Sequence, residues 1–507
     1  MLKLLSIIFF LLSVLNIHSQ GLTLNYEAKM IVGEESNVTI NGNLVLNNHI
    51  PLEIKNSSFI VKGESSGSGE ITFTKTIPSN RWEFVSSPVL DQSVTTFVAK
   101  ENLSRGLGSH TDNRGLTYFN NSEFKWVIYN GVDNVDFPNI FESGKGWGVH
   151  LEGNGENKDI SFTGLFPGLD ISKTNQNIEE AQHFFIGNPY PSSISVGDQT
   201  AEGVAFLSYN GDNLKEKTMW IWNSENRDYD IANNLVGTSY IRPGQSFFVK
   251  SISGSAVFSF KKDMQSHQST TSYQQKNSSS SQKIKLMITD GSSHKHTVIY
   301  YVKEATNGFD NGFDSTTFNS GGTDIYTHLV EDSEGNDYRI QALPNNNHEK
   351  TIVSVGVNAT SSSEITISAA IDNLPAEIKV YLEDKEKNSF NLLDNSATFK
   401  TTLSEDINGI GRFYLHTTSQ VLSSDKVALN NNPSIYISSE ENLRISGVHI
   451  GEAKIRMYDI LGKQLINTSF EGNGMNDIVL PKNISDGGVY IVHLVTDTKI
   501  ITKKIMI

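Results

Sequence analysis

Short apolar bursts separated by turn residues fill the C-terminal part of this chain, and this pattern restricts it to β-structure more than any other feature does. Residues 453–465 alternate apolar and polar side chains until Asp459 and then turn at Gly462 and Lys463. The apolar run at residues 489–492 follows the turn-forming sequence at residues 486–488. Short strands with this punctuation predict a small antiparallel β-sandwich.

Three groups of residues in this tail follow one another in a defined order. They are Ile455, Tyr458, Asp459, Leu461, Gly462 and Lys463, then Gly487, Gly488, Val489, Tyr490 and Ile491, then Thr502, Lys503, Lys504, Ile505, Met506 and Ile507. The pattern closely resembles the type A C-terminal sorting domain of the type IX secretion system of Gram-negative bacteria. The resemblance implies that residues 435–507 are recognised by the secretion machinery at the outer membrane and commonly removed. It also implies that the cargo is released or attached to surface polysaccharide.

The sorting signal that this resemblance implies consists of ten residues. They are Tyr458, Asp459, Leu461, Gly462, Lys463, Gly488, Val489, Tyr490, Lys503 and Lys504.

The N-terminus independently predicts export. Lys3 is followed by a nearly unbroken apolar stretch at residues 4–17, which is typical of a signal peptide, with cleavage expected between Ser19 and Gln20. A signal anchor is the alternative, but no later stretch is apolar enough to span a bilayer. Because the chain has no cysteine, a lipoprotein anchor, disulfides and thiolate metal sites are excluded. We therefore expect a protein that is secreted or held at the cell surface, with no membrane span in the mature chain.

The charge balance of the chain disfavours anionic partners. The formal net charge is −15, and charged residues make up 19% of the sequence. The resulting field repels nucleic acid and anionic membrane surfaces, so no nucleic-acid partner is expected.

Two further patterns lie in the N-terminal half. Residues 20–80 carry short apolar bursts at regular spacing, which predicts a β-meander or a few rungs of a β-solenoid. Residues 81–262 contain an internal duplication, with repeats at about 81–165 and 183–261.

The anchors of the duplication lie about 100 residues apart: Pro88 with Pro189, Trp126 with Trp220, and Gly146 with Gly244. A period this long predicts two similar β-units that pack as one pseudo-symmetric body. The block resembles a recurrent, largely uncharacterised module that precedes type IX sorting tails.

The remaining segments complete the predicted organisation. Residues 263–283 form a Ser/Gln-rich linker, and residues 419–434 form a second linker before the tail. Residues 284–418 resemble the Ig-like β-sandwich that often precedes such tails. The fold class is therefore all-β and multi-domain, with antiparallel β-sandwich or Ig-like modules and a solenoid-like N-terminal segment as one alternative for residues 20–80.

Candidate chemical sites are few. The G-x-S-x-G pattern at residues 63–67 is followed by another strand, whereas a nucleophile elbow needs a helix there. His294 and His296 would share one face of a strand, but no carboxylate run completes a metal site. Residues 307–314 offer clustered oxygen ligands without the full calcium loop. We expect no cofactor, with calcium as the one ion that the pattern leaves open.

The aromatic residues of the duplicated block allow two interpretations. Trp126, Trp147, Trp220 and Trp222 could stack on sugar rings, or they could belong to the core. Trp220 and Trp222 would lie on the same face of a strand, which favours the core.

Three functional classes remain open at this point. The expected one is a non-catalytic adhesion, matrix or scaffold protein; a glycan-binding protein is the alternative. A hydrolase is the third, because paired carboxylates can meet only in the fold.

Overall fold

The computed structural model divides into two compact units, Met1–Lys276 and Asn277–Ile507, which are described separately. The residues that it describes are 17–19, 21–25, 28–47, 52–132, 137–178, 182–197, 204–236, 240–268, 281–318, 321–331, 333, 335–346, 348–349, 351–420, 422, 433–437, 442–446, 448, 451–472, 475–481, 484, 488–496 and 500–506. Both units are built almost entirely of strands, which confirms the all-β, multi-domain prediction.

The first unit begins with a short three-faced β-solenoid. Its three parallel faces are Ile17–Ser19, Asn37–Ile40 and Ser58–Val61; Leu22–Leu24, Leu44–Leu46 and Ser65–Ser66; and Met30–Val32, Leu52–Lys55 and Ile71–Pro78. Val38 pairs with Ile17 and with Phe59, so each rung takes 21 residues on this face (38 − 17 and 59 − 38). Alternating residues such as Leu44, Leu52 and Ile71 are fully buried in the interior. The parallel pairing selects the solenoid over the meander.

The solenoid continues into the next layer of the first unit. Its last strand, Ile71–Pro78, pairs antiparallel with Asn157–Gly164. His267 also returns to the solenoid, where its ring nitrogens lie 2.8 Å from Ser58 Oγ and 2.6 Å from Thr39 Oγ1. His267, near the beginning of the predicted linker, therefore contacts the solenoid.

A four-stranded antiparallel sheet follows, which we call the first sheet. Its strands, in spatial order, are Trp82–Val85, Trp147–His150, Asn113–Asn120 and Lys125–Asn130. The helix Val94–Lys100 begins where Ser93 Oγ accepts the N–H of Thr96 at 3.2 Å, and a 3-10 turn occupies Gly108–His110. Phe97 of the helix packs against Phe141 and Phe162, which joins this layer to the solenoid core.

The second sheet has the same spatial order of equivalent strands. Its strands are His183–Gly187, Ser246–Ser251, Leu214–Asn223 and Asp228–Ala232. Around it lie the paired strands Ile171–Ile178 and Gly254–Phe260, the small sheet of Tyr240–Ile241, Ser193–Ser195 and Gln265–Ser266, the helix Phe206–Tyr209, and the 3-10 turns Gly211–Asn213 and Lys262–Met264.

The second unit opens with one continuous eleven-stranded sheet, which we call the barrel. Its order is Ser389–Leu393, Lys379–Asp384, Ile407–Thr418, Thr351–Ala359, Asp324–Thr327, Tyr338–Pro344, His294–Val302, Gln282–Thr289, Glu364–Asp372 and Thr398–Thr402, with Ser315–Thr316 paired to Tyr338–Pro344. The two end strands are neighbours in the chain and approach each other, so the sheet nearly closes. The strands predicted to form an Ig-like sandwich thus share one sheet instead of two separate ones.

The C-terminal tail is a small antiparallel β-sandwich, as expected from its pattern. One sheet contains Ser434–Ile437, Asn442–Ser446 and Met475–Val479, and the other contains Gln464–Glu471, Glu452–Asp459, Val489–Val495 and Ile500–Met506. Alternating residues of both sheets, including Leu443, Ile455 and Val492, are fully buried between them.

Several predicted features fall partly or wholly outside the described residues: residues 1–16 and Gln20 of the signal region, residues 269–280 of the first linker and residues 423–432 of the second. Ser19 ends a strand that pairs with Asn37–Ile40, so cleavage after Ser19 would remove that strand from the solenoid. Within the described part of the chain, no helix has the length and apolar character needed to cross a bilayer.

Candidate functional site

The first and second sheets exchange hydrogen bonds reciprocally. Val85 of the first sheet pairs with Gln245, just before the strand Ser246–Ser251 of the second sheet, and Ile186 of the second sheet pairs with Lys145, just before the strand Trp147–His150 of the first. Beside these bridges, the N–H of Ser86 donates to the Gly244 carbonyl and the N–H of Gly187 donates to the Gly144 carbonyl, both at 3.1 Å. Each contact in one direction has its counterpart in the other, which is the property of a two-fold, self-complementary interface.

The two hairpins fix which residues are equivalent. Asn120 Oδ1 accepts the N–H groups of residues 122 and 123, and Asn223 Oδ1 accepts those of residues 225 and 226. Phe124 and Arg227 then occupy the left-handed region with φ of 51° and 52°. The offset between the hairpins is therefore 103 residues (223 − 120).

The structure corrects two predicted pairs. Trp126 corresponds to Tyr229, because Trp220 lies one strand away, opposite Phe248. Gly244 corresponds to Gly144, which shares its positive φ in the turn before a strand (58° and 76°), and not to Gly146. Both mismatches arise because the prediction matched identical residue types 94 and 98 residues apart (220 − 126 and 244 − 146), whereas the hairpin and the turn have offsets of 103 and 100 residues.

Aromatic side chains fill the space between the two sheets. The Phe185 ring lies 4.4 Å from Phe248, 5.0 Å from Phe84 and 5.3 Å from Trp126, measured between ring centroids. Phe84 in turn stacks on Trp222 at 5.6 Å. Such pairs each contribute roughly 0.5–1.5 kcal/mol beyond their buried area. We call these five residues the aromatic junction.

The four predicted glycan-stacking tryptophans have different environments. Trp147 and Trp220 are fully buried, so neither indole has a free face for a sugar. Trp222 is half-buried, and its Nε1–H donates to the Trp82 carbonyl at 2.9 Å. Trp126 is 39% exposed on the edge strand Lys125–Asn130, next to the exposed side chains of Phe124 and Ile128. Only Trp126 of the four combines an exposed indole with a rigid support beneath it.

Charged groups lie close to the junction. The Lys75 ammonium donates to the carbonyls of Gly244 at 2.9 Å and Pro243 at 3.3 Å, and burial together with the charge of Arg242 lowers its pKa to about 7. Burial also raises the pKa of Glu83, although the hydroxyl of Ser224 donates to this carboxylate. The hydrogen bonds of Lys75 thus link the last solenoid strand to the turn that precedes the strand Ser246–Ser251 of the second sheet.

Buried carboxylates of the barrel are paired with cations. Arg339 binds Asp324 through two hydrogen bonds of 2.8 and 2.9 Å, and Arg412 binds Asp384 through two of 3.0 Å. Burial opposes ionisation of Glu383, but hydrogen bonds from His416, at 2.8 Å, and from Lys385 lower its pKa overall. These groups connect neighbouring strands.

The remaining sequence candidates lie apart from one another. Ser65 is in a solenoid strand and the chain continues into another strand, Ile71–Pro78, not into a helix. His294 and His296 lie at the start of strand His294–Val302. In the loop 307–314, the Asp310 carboxylate accepts the N–H of Thr306, and the Asp314 carboxylate accepts the N–H groups of Asp310 and Ala342. No group of three metal-ligating side chains occurs among the described residues.

The predicted sorting residues divide between a turn and the core of the tail. Asp459 Oδ1 accepts the N–H groups of Leu461 and Lys463 at 2.9 Å, and Gly462 has a φ of 84°. A Cβ on Gly488 would lie 2.5 Å from the hydroxyl of the buried Tyr490.

Three other motif residues belong to strands of the tail. Val489 begins the strand Val489–Val495, and Lys503 and Lys504 lie on Ile500–Met506.

Sequence reasoning missed Phe84, Phe185 and Phe248 as junction residues. The signal that could have found two of them is the repeated motif itself, since Phe84 and Phe185 stand four residues before Pro88 and Pro189. Phe248 has glycine as its equivalent, so no local signal marks it.

Comparison with known proteins identifies both parts of the chain. Residues 11–416 match the family model described as "Domain of unknown function (DUF8693)", and residues 432–507 match that described as "Secretion system C-terminal sorting domain". No curated protein matches the chain. The chain is similar to a solved structure described as "Biofilm associated protein - BSP domain", with 9% identity, coverage of 86% of this chain and 95% of that chain, and a TM-score of 0.18. A TM-score this low carries no inference.

Proposed function

This chain belongs to the DUF8693 family and is type IX secretion cargo that its C-terminal sorting domain directs to the cell surface or the medium, and we propose that its body acts there as a non-catalytic adhesion, matrix or scaffold protein. The sorting domain implies an interaction with the type IX machinery.

The observation that carries the proposal is the rigid connection of three β-layers in the first unit. The solenoid, the first sheet and the second sheet are joined by the strand pair Ile71–Pro78 with Asn157–Gly164, by the aromatic junction, and by Lys75. The N–H of Phe59 also donates to the Pro191 carbonyl at 2.8 Å. A fused body of this kind holds a surface in a fixed geometry, which suits a scaffold or an adhesive contact.

The placement of the ionisable groups supports a non-catalytic role. Asp324 and Asp384 are held by arginine forks, and Glu383 is held by His416 and Lys385. A general acid or base must reach a substrate proton from within a cleft. These carboxylates are committed to ion pairs between strands, where they stabilise the barrel.

The experiment compares the source bacterium with a strain that lacks the gene. We expect the deletion strain to lose attachment or matrix cohesion, and purified mature protein, residues 20 to about 434, to show no turnover of pooled glycans, peptides and esters. Unchanged attachment and cohesion would contradict the adhesive or scaffold role. Turnover that one Asp, Glu, Ser or His substitution abolishes in a folded protein would instead revive the hydrolase.

A second candidate function is glycan binding at strand Lys125–Asn130. The observation that favours it is the exposed indole of Trp126, which rests on Phe84, Phe119 and Phe185 at centroid distances of 5.1–5.3 Å. A supported, exposed indole is the arrangement that stacks on a sugar face.

The test is a glycan array with Trp126→Leu, which keeps apolar contact but removes the indole. Trp220→Leu serves as the control, because Trp220 is fully buried and cannot touch a ligand directly. We expect loss of glycan signal in the Trp126 variant only. The same loss in the control variant, or no signal for the wild-type protein, would contradict glycan binding.

A further inference from the structure

The tip of one hairpin in the tail presents two consecutive apolar side chains to solvent. The hairpin joins Glu452–Asp459 to Gln464–Glu471, and at its tip Ile460 is 72% exposed and Leu461 is 89% exposed. Single exposed apolar residues are ordinary on protein surfaces. Two in succession at a tight turn are not, since such turns favour glycine and small polar residues.

The turn holds these two side chains in a fixed position. Besides the two bonds to Asp459 Oδ1, the N–H of Gly462 donates to the Asp459 carbonyl and the N–H of Asp459 donates to the Lys463 carbonyl, both at 3.0 Å. The fold therefore uses Asp459 and Gly462 to build the turn, whereas the side chains of Ile460 and Leu461 contribute little to it. A rigid tip loses little conformational entropy when it binds.

A cationic face lies beside the tip. The strand Glu452–Asp459 buries Ala453, Ile455 and Met457. Lys454, Arg456 and Tyr458 therefore face outward, with the exposed Glu452 at the end of the strand away from the tip. Lys504 joins the same face through Ile491, which pairs with both Lys504 and Tyr458.

In the part of the chain that the structure describes, Lys454, Arg456 and Lys504 form no ion pair with a carboxylate. Such a face stands out in a chain with a net charge of −15. It fits a partner surface that carries acidic groups.

We infer that Ile460 and Leu461 form the contact by which the sorting domain is recognised, entering an apolar pocket with an acidic rim on the outer-membrane export machinery. The match of residues 432–507 to a sorting domain establishes that this domain is the address. Among its described residues, Leu461 is the most exposed large apolar side chain, and Ile460 is its exposed neighbour. The inference concerns export and is independent of the role proposed for the body.

The experiment replaces the tip in the full-length chain, expressed in the source bacterium, with Ile460→Ser and Leu461→Ser together. The matched control is Val479→Ser with Ile500→Ser, because these residues are 79% and 74% exposed in the same domain but lie on separate strands away from the tip. Deletion of residues 435–507 gives the level expected for a chain without its address. The measurement is the protein in the periplasm, on the surface and in the medium, by quantitative immunoblot.

We expect the tip variant to lose about tenfold or more of its exported fraction and to accumulate in the periplasm, since two apolar side chains would leave a pocket. The control should export within about twofold of the wild type. Ile460→Val with Leu461→Met, which keeps the tip apolar, should retain much more export than the serine variant. Arg456→Gln with Lys504→Gln should lower export several-fold because the charge attraction is lost.

Unchanged export of the tip variant would overturn the inference, as would an equal loss in the Val479/Ile500 control. A tip variant that crosses the outer membrane but is no longer retained on the surface would assign the tip to attachment and would also overturn it. Thermal unfolding of the purified full-length variants checks folding, and the apolar replacement keeps the inference testable if the serine variant is unstable. Loss of adhesion with normal export would affect only the role proposed for the body.

Discussion

Replacing Gly146 by alanine tests whether the aromatic junction is as closely packed as the structure indicates. A Cβ at this position would lie 2.5–2.7 Å from three ring carbons of Phe185. Ordinary contacts of this kind are about 3.5–4.0 Å, so the ring would have to move by about 1 Å. It has little room to do so, because Phe248 lies at a centroid distance of 4.4 Å and Phe84 at 5.0 Å on other sides.

The expected cost follows from this crowding. Overpacking a well-filled site destabilises proteins by about 1–3 kcal/mol. For a cooperative unit of this size, each 1 kcal/mol lowers the melting temperature by about 2–4 °C, so we expect a decrease of about 2–12 °C in the first unit. The control is Gly33→Ala, because a Cβ there meets nothing within 4 Å and no backbone strain opposes it. This control should be neutral or stabilising by up to about 1 kcal/mol.

The assay is calorimetry of the full-length protein, with hydrogen exchange to assign each transition to one of the two compact units. The double variant Gly146→Ala with Phe185→Leu should be more stable than the sum of the two single effects predicts, since the smaller side chain relieves the clash. A Gly146→Ala protein within about 0.5 kcal/mol of the wild type, or additive effects in the double variant, would refute the packing described here.

Three further predictions concern charged and turn residues. Burial lowers the pKa of Lys75 to about 7, so the cost of burying its charge to the stability of the folded state is complete below pH 7 and disappears as the pH rises towards 10. In denaturant titrations, Lys75→Met should therefore raise the unfolding free energy by about 1–3 kcal/mol more at pH 6 than at pH 10. An effect that is independent of pH would contradict this. Arg412→Met leaves the fully buried Asp384 without its partner and should destabilise the barrel by about 3–5 kcal/mol in denaturant titrations. Arg444→Met breaks a partly exposed pair with Asp477 and should cost less than about 1 kcal/mol. Equal costs of the two substitutions would be inconsistent with this difference in burial. Asp459→Ala removes the acceptor of two backbone N–H groups and should speed hydrogen exchange in the hairpin. Asp459→Asn keeps an acceptor and should change the exchange rates little. Equal rates in both variants would contradict the turn geometry.

The sequence carried the information that depends on neighbouring residues. Strands in the tail follow from the alternation at residues 453–459 and from the turn at Gly462, because side-chain direction in a strand repeats every two residues. The sorting-domain resemblance is confirmed for the same reason: its residues lie in one short segment. The absence of a cofactor, the lack of catalysis and the signal peptide stay predictions.

Which of the candidate glycan-stacking tryptophans is exposed could be decided only from the fold. The sequence pairs Trp126 with Trp220, yet Trp126 is on an edge strand and partly exposed, while Trp220 is on a different strand and fully buried opposite Phe248. Exposure depends on which strands lie on either side, and those neighbours come from residues far away in the chain. A local pattern of apolar and polar residues does not encode them.

What the sequence by itself determined is the all-β class and the position of the sorting tail, while the duplication of two blocks within residues 81–262 stays a prediction. What only the tertiary structure decided is how the blocks meet: the reciprocal bridges of Val85 with Gln245 and of Lys145 with Ile186, and the rings of Phe84 and Phe185 between them. The physical reason is range. Turns and strand alternation act over a few residues, whereas these contacts close loops of 40 to 160 residues, and their selection depends on the packing of the whole unit.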